Sequence, residues 1–323
     1  MMPLARLCFP LALALCLTGC GVSQDMKNEK IQSNVDMALQ TATLGKTAEA
    51  RRWADRAIAI APNDVSVYAP DPDAGHDSVG GVFYAAGDDA TAVAYLSQAA
   101  RKFPQSDRPL YLLVQAQKRL GDTANARANA KTLAALLEAR LARPGVYPGA
   151  PLLNEMAQAD IDSGDVGKGA TVYRRVIATY PFNPQTSDAR NGLAYSYAVA
   201  NDTPHLPEAL ALSLQALKSA QDLAKQGRLP DADVGAVQDT VGWVQYRLGL
   251  YPDALASLLQ AMNNDPREAE NRYHLGMTYK KMGQTEAARG ELGRAVLLSP
   301  GYAEAVAALA ALPPAPAALP GGA

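Results

Sequence analysis

The chain has 323 residues, enough for two ordinary domains or one elongated array, and 48% of them are hydrophobic against only 6% aromatic and 19% charged. Such an Ala- and Leu-rich profile suits helices whose small side chains let backbones approach closely, and it argues against a compact β fold. The 30 basic and 32 acidic residues are scattered for a formal net charge of −2, so no basic stripe can neutralise a run of phosphates and nucleic acid is not expected as a partner.

At the N-terminus, Arg6 and the terminal amine precede an apolar run from Leu7 to Leu17 that is broken only by Pro10. That is the pattern of a secretory n-region and h-region, and it is far shorter than the roughly 20 apolar residues a membrane span needs. Cys8, Cys16 and Cys20 are the chain's three cysteines, so nothing further along can pair with them and a disulfide-stapled core is excluded. Leu17-Thr18-Gly19-Cys20 resembles a bacterial lipobox. The resemblance implies that residues 1–19 are removed, that the Cys20 thiol carries a diacylglyceryl group and that the freed amine is acylated. Two or three acyl chains hold firmly, since each buried methylene contributes about 0.8 kcal/mol. Gly21, in place of the Asp that retains many such proteins at the inner membrane, implies the outer membrane, facing the periplasm, in a cell with two membranes. The alternative is a cysteine that merely closes a signal sequence. Residues 20–30, polar and without an apolar period from Val22 to about Lys30, read as the lipidated tether.

Downstream the chain repeats itself. The segment from Thr240 to Pro266, TVGWVQYRLGLYPDALASLLQAMNNDP, aligns without a gap on that from His274 to Pro300, HLGMTYKKMGQTEAARGELGRAVLLSP, at a period of 34 residues. Projected backwards, the same frame places Gly45, Gly87, Gly121, Gly164, Gly249 and Gly283 between paired helices. Five residues after them stand Ala50, Ala92, Ala126, Gly169, Ala254 and Ala288, all small. Seventeen residues after them stand Pro62, Pro104, Glu138, Pro181, Pro266 and Pro300, five prolines of six. The spacing has a physical reading: Gly takes the left-handed conformation that ends the first helix, the small residue lets the helices cross closely, and Pro stops the second helix. The pattern resembles the tetratricopeptide repeat, and in particular bacterial envelope lipoproteins that carry it, through Asp239-Thr240-Val241-Gly242-Trp243-Val244 and Tyr273-His274-Leu275-Gly276. The resemblance implies an all-α, right-handed superhelical solenoid, in which each helix pair leaves an apolar face that its neighbour covers.

A further unit from about Ser187 to Asp222 has Asn201 where the glycine belongs, and an insertion with Pro204 and Pro207; its second helix is expected over Glu208 to Ala220. Turn formers in NDVSVYAPDPDAG, LARPGVYPGAP and KQGRLPDAD interrupt the array, with kinks expected there and a hinge expected near residues 141–150. The expected organisation is an N-terminal segment of about three repeats over 31–140, a C-terminal segment of about four over 150–302, a capping helix over 303–312 and a disordered Pro/Ala tail over 313–323.

Chemistry is hard to find. Gly164 to Thr171, GDVGKGAT, fails as a phosphate loop, because Asp162 stands where a Walker loop needs Gly and Gly169 where it needs Ser or Thr. Asp71 to Asp77, DPDAGHD, lacks the EF-hand residues at Gly75, His76 and Val82 and reads as a solvated loop, with a weak cation site as the alternative. His205 and His274 form no zinc motif, so no metal, no cofactor and no enzyme activity are expected, although a serine nucleophile with partners distant in sequence stays open.

What the resemblance implies is binding, through the groove made by successive first helices. In the family frame its groove places here are Tyr111, Gln115, Lys118 and Arg119; Asn154 and Gln158; Asn191 and Tyr195; Asp239, Trp243, Tyr246 and Arg247; Tyr273, Met277, Lys280 and Lys281. Aromatics alternating with amides and cations suit an extended peptide or a helix from an envelope protein, although Trp243 and the tyrosines serve equally well to pack helices together. The expected role is a lipid-anchored scaffold or adaptor. The alternatives are an assembly factor for pilus, secretion or exopolysaccharide-export machinery, or an accessory to an envelope hydrolase.

Overall fold

A computed structural model of the chain describes residues 11–69, 78–266 and 268–313, with side chains from residue 24 onward. The DPDAGHD cluster and the tail after Pro313 lie outside the described residues, as do the side chains of Cys8, Cys16 and Cys20. The chain folds as two compact units that divide between Leu112 and Leu113.

The first unit contains α1 (Leu11–Thr43), α2 (Thr47–Ile60), the single turn α3 (Val65–Tyr68), α4 (Val79–Ala85) and α5 (Asp89–Lys102). Residues 20–30, expected as a tether, are instead part of α1. Their Gln, Met, Lys and Glu are good helix formers, and the Gln24 amide donates to Asn28 Oδ1 at 3.1 Å, one turn on. Among the described residues no helix is long and apolar enough to cross a membrane. The unit's core joins Ala38, Ala50, Ala54, Phe83 and Leu96, all fully buried, with the Tyr95 ring stacked on Phe83 at 5.4 Å.

The second unit begins inside α6 (Arg108–Arg119) and continues through α7 (Thr123–Leu141), α8 (Ala150–Ser163), α9 (Val166–Thr179), α10 (Thr186–Val199) and α11 (Leu206–Lys225). It ends with α12 (Asp231–Arg247), α13 (Tyr251–Asn264), α14 (Ala269–Lys281), α15 (Thr285–Leu298) and the short α16 (Ala303–Ala310). Residues 141–150 are not a hinge between units: α7 packs on α8 across them, and Lys168 of α9 is ion-paired to Glu138 of α7. The turn formers there make a loop, and the packing on either side keeps it inside one unit.

The repeat frame has a direct backbone counterpart. All six inter-helix glycines have positive φ, from 72° at Gly45 to 98° at Gly164. Asn201 takes their place with φ of 53°, the one described non-glycine residue in that region, because a short polar side chain tolerates the left-handed conformation. Three of the glycines are followed by an aspartate that starts the next helix. Asp88, Asp122 and Asp165 accept from the backbone N–H of Thr91, Asn125 and Lys168, which satisfies an otherwise orphaned donor. GDVGKGAT is therefore a helix turn, and Lys168 is held by Asp160 at 3.0 Å as well as by Glu138.

The small residues mark the crossing points. Ala50, Ala92, Ala254 and Ala288 are fully buried, and at Gly169 a Cβ would stand 2.6 Å from the Ala157 carbonyl oxygen. Gly242 and Gly276, in the first helices, meet Leu258 and Leu292 of the second, where a Cβ would approach Cγ to 2.6 and 2.7 Å. Helices that cross this closely leave no room for a larger side chain.

Candidate functional site

Within the second unit the first helices α8, α10, α12 and α14 lie side by side. The side they share is the inner side of a curve. The Tyr195 hydroxyl of α10 donates to the Glu270 carboxylate at the start of α14, reaching past α12. At the rim the α6–α7 turn meets the α15–α16 turn, so that a Cβ on Gly301 would stand 2.8 Å from the Leu120 carbonyl oxygen.

At the centre is a buried pair. His274 Nδ1 lies 2.7 Å from Asp239 Oδ2, and the two residues are 2% and 4% exposed. Burial pushes the His274 imidazole down, but the Asp239 charge and hydrogen bond outweigh it, so its pKa is raised overall; burial raises that of Asp239, against the pull of His274. Trp243 stacks on His274 at 4.0 Å and on Tyr246 at 4.6 Å, with the Arg247 guanidinium 5.3 Å from its ring centroid. Arg247 Nε also donates to the Ala198 carbonyl at 2.7 Å, satisfying the last turn of α10. Tyr273 is tilted against Trp243 at 6.0 Å and against Tyr302 at 5.1 Å.

The expected groove residues thus divide. Tyr195, Asp239, Trp243, Tyr246, Arg247 and Tyr273 come together, but Trp243 and Tyr246 are only 6% and 7% exposed and their rings pack between helices. Asn154 donates to the Gln185 carbonyl at 2.8 Å, and Gln158 is held between Asp162 and the Tyr173 hydroxyl. Gln115 and Lys118 both reach Asp162, at 3.3 and 2.8 Å. Arg119, Asn191, Met277 and Lys280 are partly exposed, and Lys281 is exposed. Tyr111 falls on the first unit's side of the division. Sequence reasoning missed His274, Glu268, Glu270 and Tyr302. His274 was nonetheless findable, because it occupies the repeat place next to that of Asp239, one repeat later.

Glu268 gives this side a titration. Burial, followed by the charge of Glu270, raises its carboxyl from 4.5 to about 7, with Arg119 pulling the other way. A carboxyl raised on folding binds its proton more tightly in the native state, so its contribution is fully present below its unfolded value and is lost as pH rises through about 7. Glu268→Gln keeps the acceptor for the Glu270 N–H. It is expected to stabilise the protein at pH about 8 by about 1–2 kcal/mol, after allowance for solvent screening, and to change little at pH about 4.5; thermal unfolding at the two pH values measures it.

His205 is accounted for by Asp202 at 2.8 Å and by stacking on Tyr197, and among the described residues no three of His, Cys, Asp and Glu gather as metal ligands would.

Tetratricopeptide-repeat family models match residues 269–302, which cover α14 and α15, and residues 80–106, which cover most of α4 and all of α5. The chain carries tetratricopeptide repeats. Its fold is the all-α solenoid of such repeats. Among solved structures it is similar to a tetratricopeptide repeat protein from Parabacteroides merdae ATCC 43184, at a TM-score of 0.50 and 12% identity over 87% of this chain and 98% of that one. It is also similar to a chain of the APC/C hetero-tetramer Cut9-Hcn1, at a TM-score of 0.50 and 14% identity over 84% of this chain. This chain spans about half of that one, 47% of its length. At such identities the likeness is one of fold. No curated protein matches the chain in sequence.

Proposed function

We propose that the protein is a lipid-anchored tetratricopeptide scaffold of a bacterial cell envelope, tethered through Cys20 and binding an extended segment of a protein partner along the inner side of its second unit. One observation carries the binding part. Asn154, Asn191 and Asp239 occupy the same repeat place on α8, α10 and α12, ten residues before the turn residue. Each has its Oδ1 buried and, among the described residues, without a hydrogen-bond partner. Buried acceptors are rarely left so, and a peptide that displaces the side chains covering them meets a row of such acceptors on successive helices with its N–H groups. The lipobox resemblance of Leu17 to Cys20 supports the anchor.

The test has two arms. A photo-crosslinker placed at Asn191 or Lys280 in the native envelope is expected to capture one protein that a crosslinker at Ser219, on the second helix α11, does not. Equal capture from both sides would remove the groove from the site. Cys20→Ser is expected to abolish palmitate labelling and leave an unprocessed precursor, and continued labelling of that variant would sink the anchor.

A further inference from the structure

Two loops on one edge of the second unit hold aromatic rings out in solvent. Tyr147, after α7, is 91% exposed, and Phe182, after α9, is 99% exposed. The loops are neighbours, because the Tyr180 hydroxyl donates to the Pro148 carbonyl at 2.6 Å. They are also well tied. Gly149 N donates to the Tyr147 carbonyl at 2.9 Å, Asn183 N to the Tyr180 carbonyl at 2.9 Å and Gln185 N to Asn183 Oδ1 at 2.9 Å. Pro144, Pro148, Pro181 and Pro184 stiffen them further. Fully burying a Phe side chain is worth about 1.5–3 kcal/mol, so a ring held in water by an ordered loop is one that the fold does not use.

Charge gives the kind of partner. From residue 139 to 154 the chain has Arg140 and Arg143 and no acid, and from 166 to 187 it has Lys168, Arg174 and Arg175 and no acid. Lys168 is held by Glu138 and Asp160, and Arg174 is bonded to the Tyr197 hydroxyl. Arg143 and Arg175 are exposed. Two protruding rings and their prolines offer far less than the roughly 800 Å² per partner of a stable protein interface. Rings that penetrate while cations stay at headgroup level are instead what an anionic lipid surface accepts. We propose that the Tyr147–Phe182 edge docks on an anionic phospholipid surface, laying the second unit against a membrane. The proposal stands apart from the groove reading and from the Cys20 anchor.

The experiment uses the full chain carrying Phe182→Trp, with the emission of the parent chain's Trp53 and Trp243 subtracted. It is added to vesicles of brominated phosphatidylcholine with or without phosphatidylglycerol. With phosphatidylglycerol, emission from the introduced indole is expected to shift to the blue and to be quenched by the bromines, and Arg143→Gln with Arg175→Gln to reduce the quenching at least threefold. Because this indole reports only on the edge, an anchor elsewhere in the chain cannot produce the signal. In a Cys20→Ser background, Tyr147→Ser with Phe182→Ser is expected to weaken partition into the same vesicles about tenfold, with far-ultraviolet circular dichroism unchanged because both side chains are exposed. An introduced indole that keeps its water-exposed emission on phosphatidylglycerol vesicles, that responds equally to pure phosphatidylcholine, or that is shielded only by an envelope protein without lipid overturns the proposal.

Discussion

His274→Leu is expected to lower the unfolding free energy by about 3–5 kcal/mol, the usual result of removing one partner from a buried ion pair. The residue it abandons is Asp239, which keeps a carboxylate 4% exposed with one oxygen already unpartnered among the described residues. Leucine fills much of the imidazole's volume, so the loss comes from charge rather than from a cavity. The double variant His274→Leu with Asp239→Leu is therefore expected to recover most of it, since replacing a buried pair by apolar residues is often near neutral. Urea unfolding of the two single variants and the double at neutral pH completes the cycle. Single variants that each cost under about 1 kcal/mol would show that the pair carries no buried charge. The wild-type protein should also show the pair in its pH dependence. The histidine's folded pKa lies above its ordinary 6.5, so its contribution is present below that value and is lost as pH rises through the folded one. Asp239, Glu270 and Arg247 are the charged groups that set this shift, and His274→Leu removes that part of the slope.

The repeat was legible because its signals are local. A glycine that must adopt positive φ, a small residue that must let two helices cross and a proline that must end a helix are each dictated within one helix pair, and Gly45 to Gly283 all obey. Even the irregular unit was readable: Asn201 stood in the glycine's place and takes the glycine's conformation. Relations between repeats were not legible in the same way. The bond from Tyr195 to Glu270 spans 75 residues and depends on the curvature accumulated over α10, α12 and α14, which no single repeat encodes. The expected hinge at 141–150 failed for a related reason, since turn formers specify a loop but only the packing of α7 on α8 decides whether the loop is a joint. Residues 20–30 lack an apolar period, yet they are helical by propensity. The groove list named places on the first helices, but spacing alone could not separate a ring that faces a ligand from one that faces the next helix.

That ambiguity is sharpest at Trp243. Trp243→Ala is expected to cost about 3–5 kcal/mol, the range for truncating a large aromatic side chain in a core, because the indole is 6% exposed and stacks on both His274 and Tyr246. The cavity would also open the Asp239–His274 pair to water and leave Arg247 without the ring beneath its guanidinium. Trp243→Phe keeps a ring for both neighbours and is expected to cost less than half as much. Thermal or urea unfolding gives the two costs, and near-ultraviolet circular dichroism follows the stack itself. Partner capture is then compared under conditions where every variant is fully folded. A packing indole predicts that capture follows stability, returning when the alanine variant is cooled or stabilised. A ligand-facing indole predicts the reverse, an unchanged unfolding midpoint with capture lost, and that outcome would move Trp243 from the core of the second unit to its binding surface.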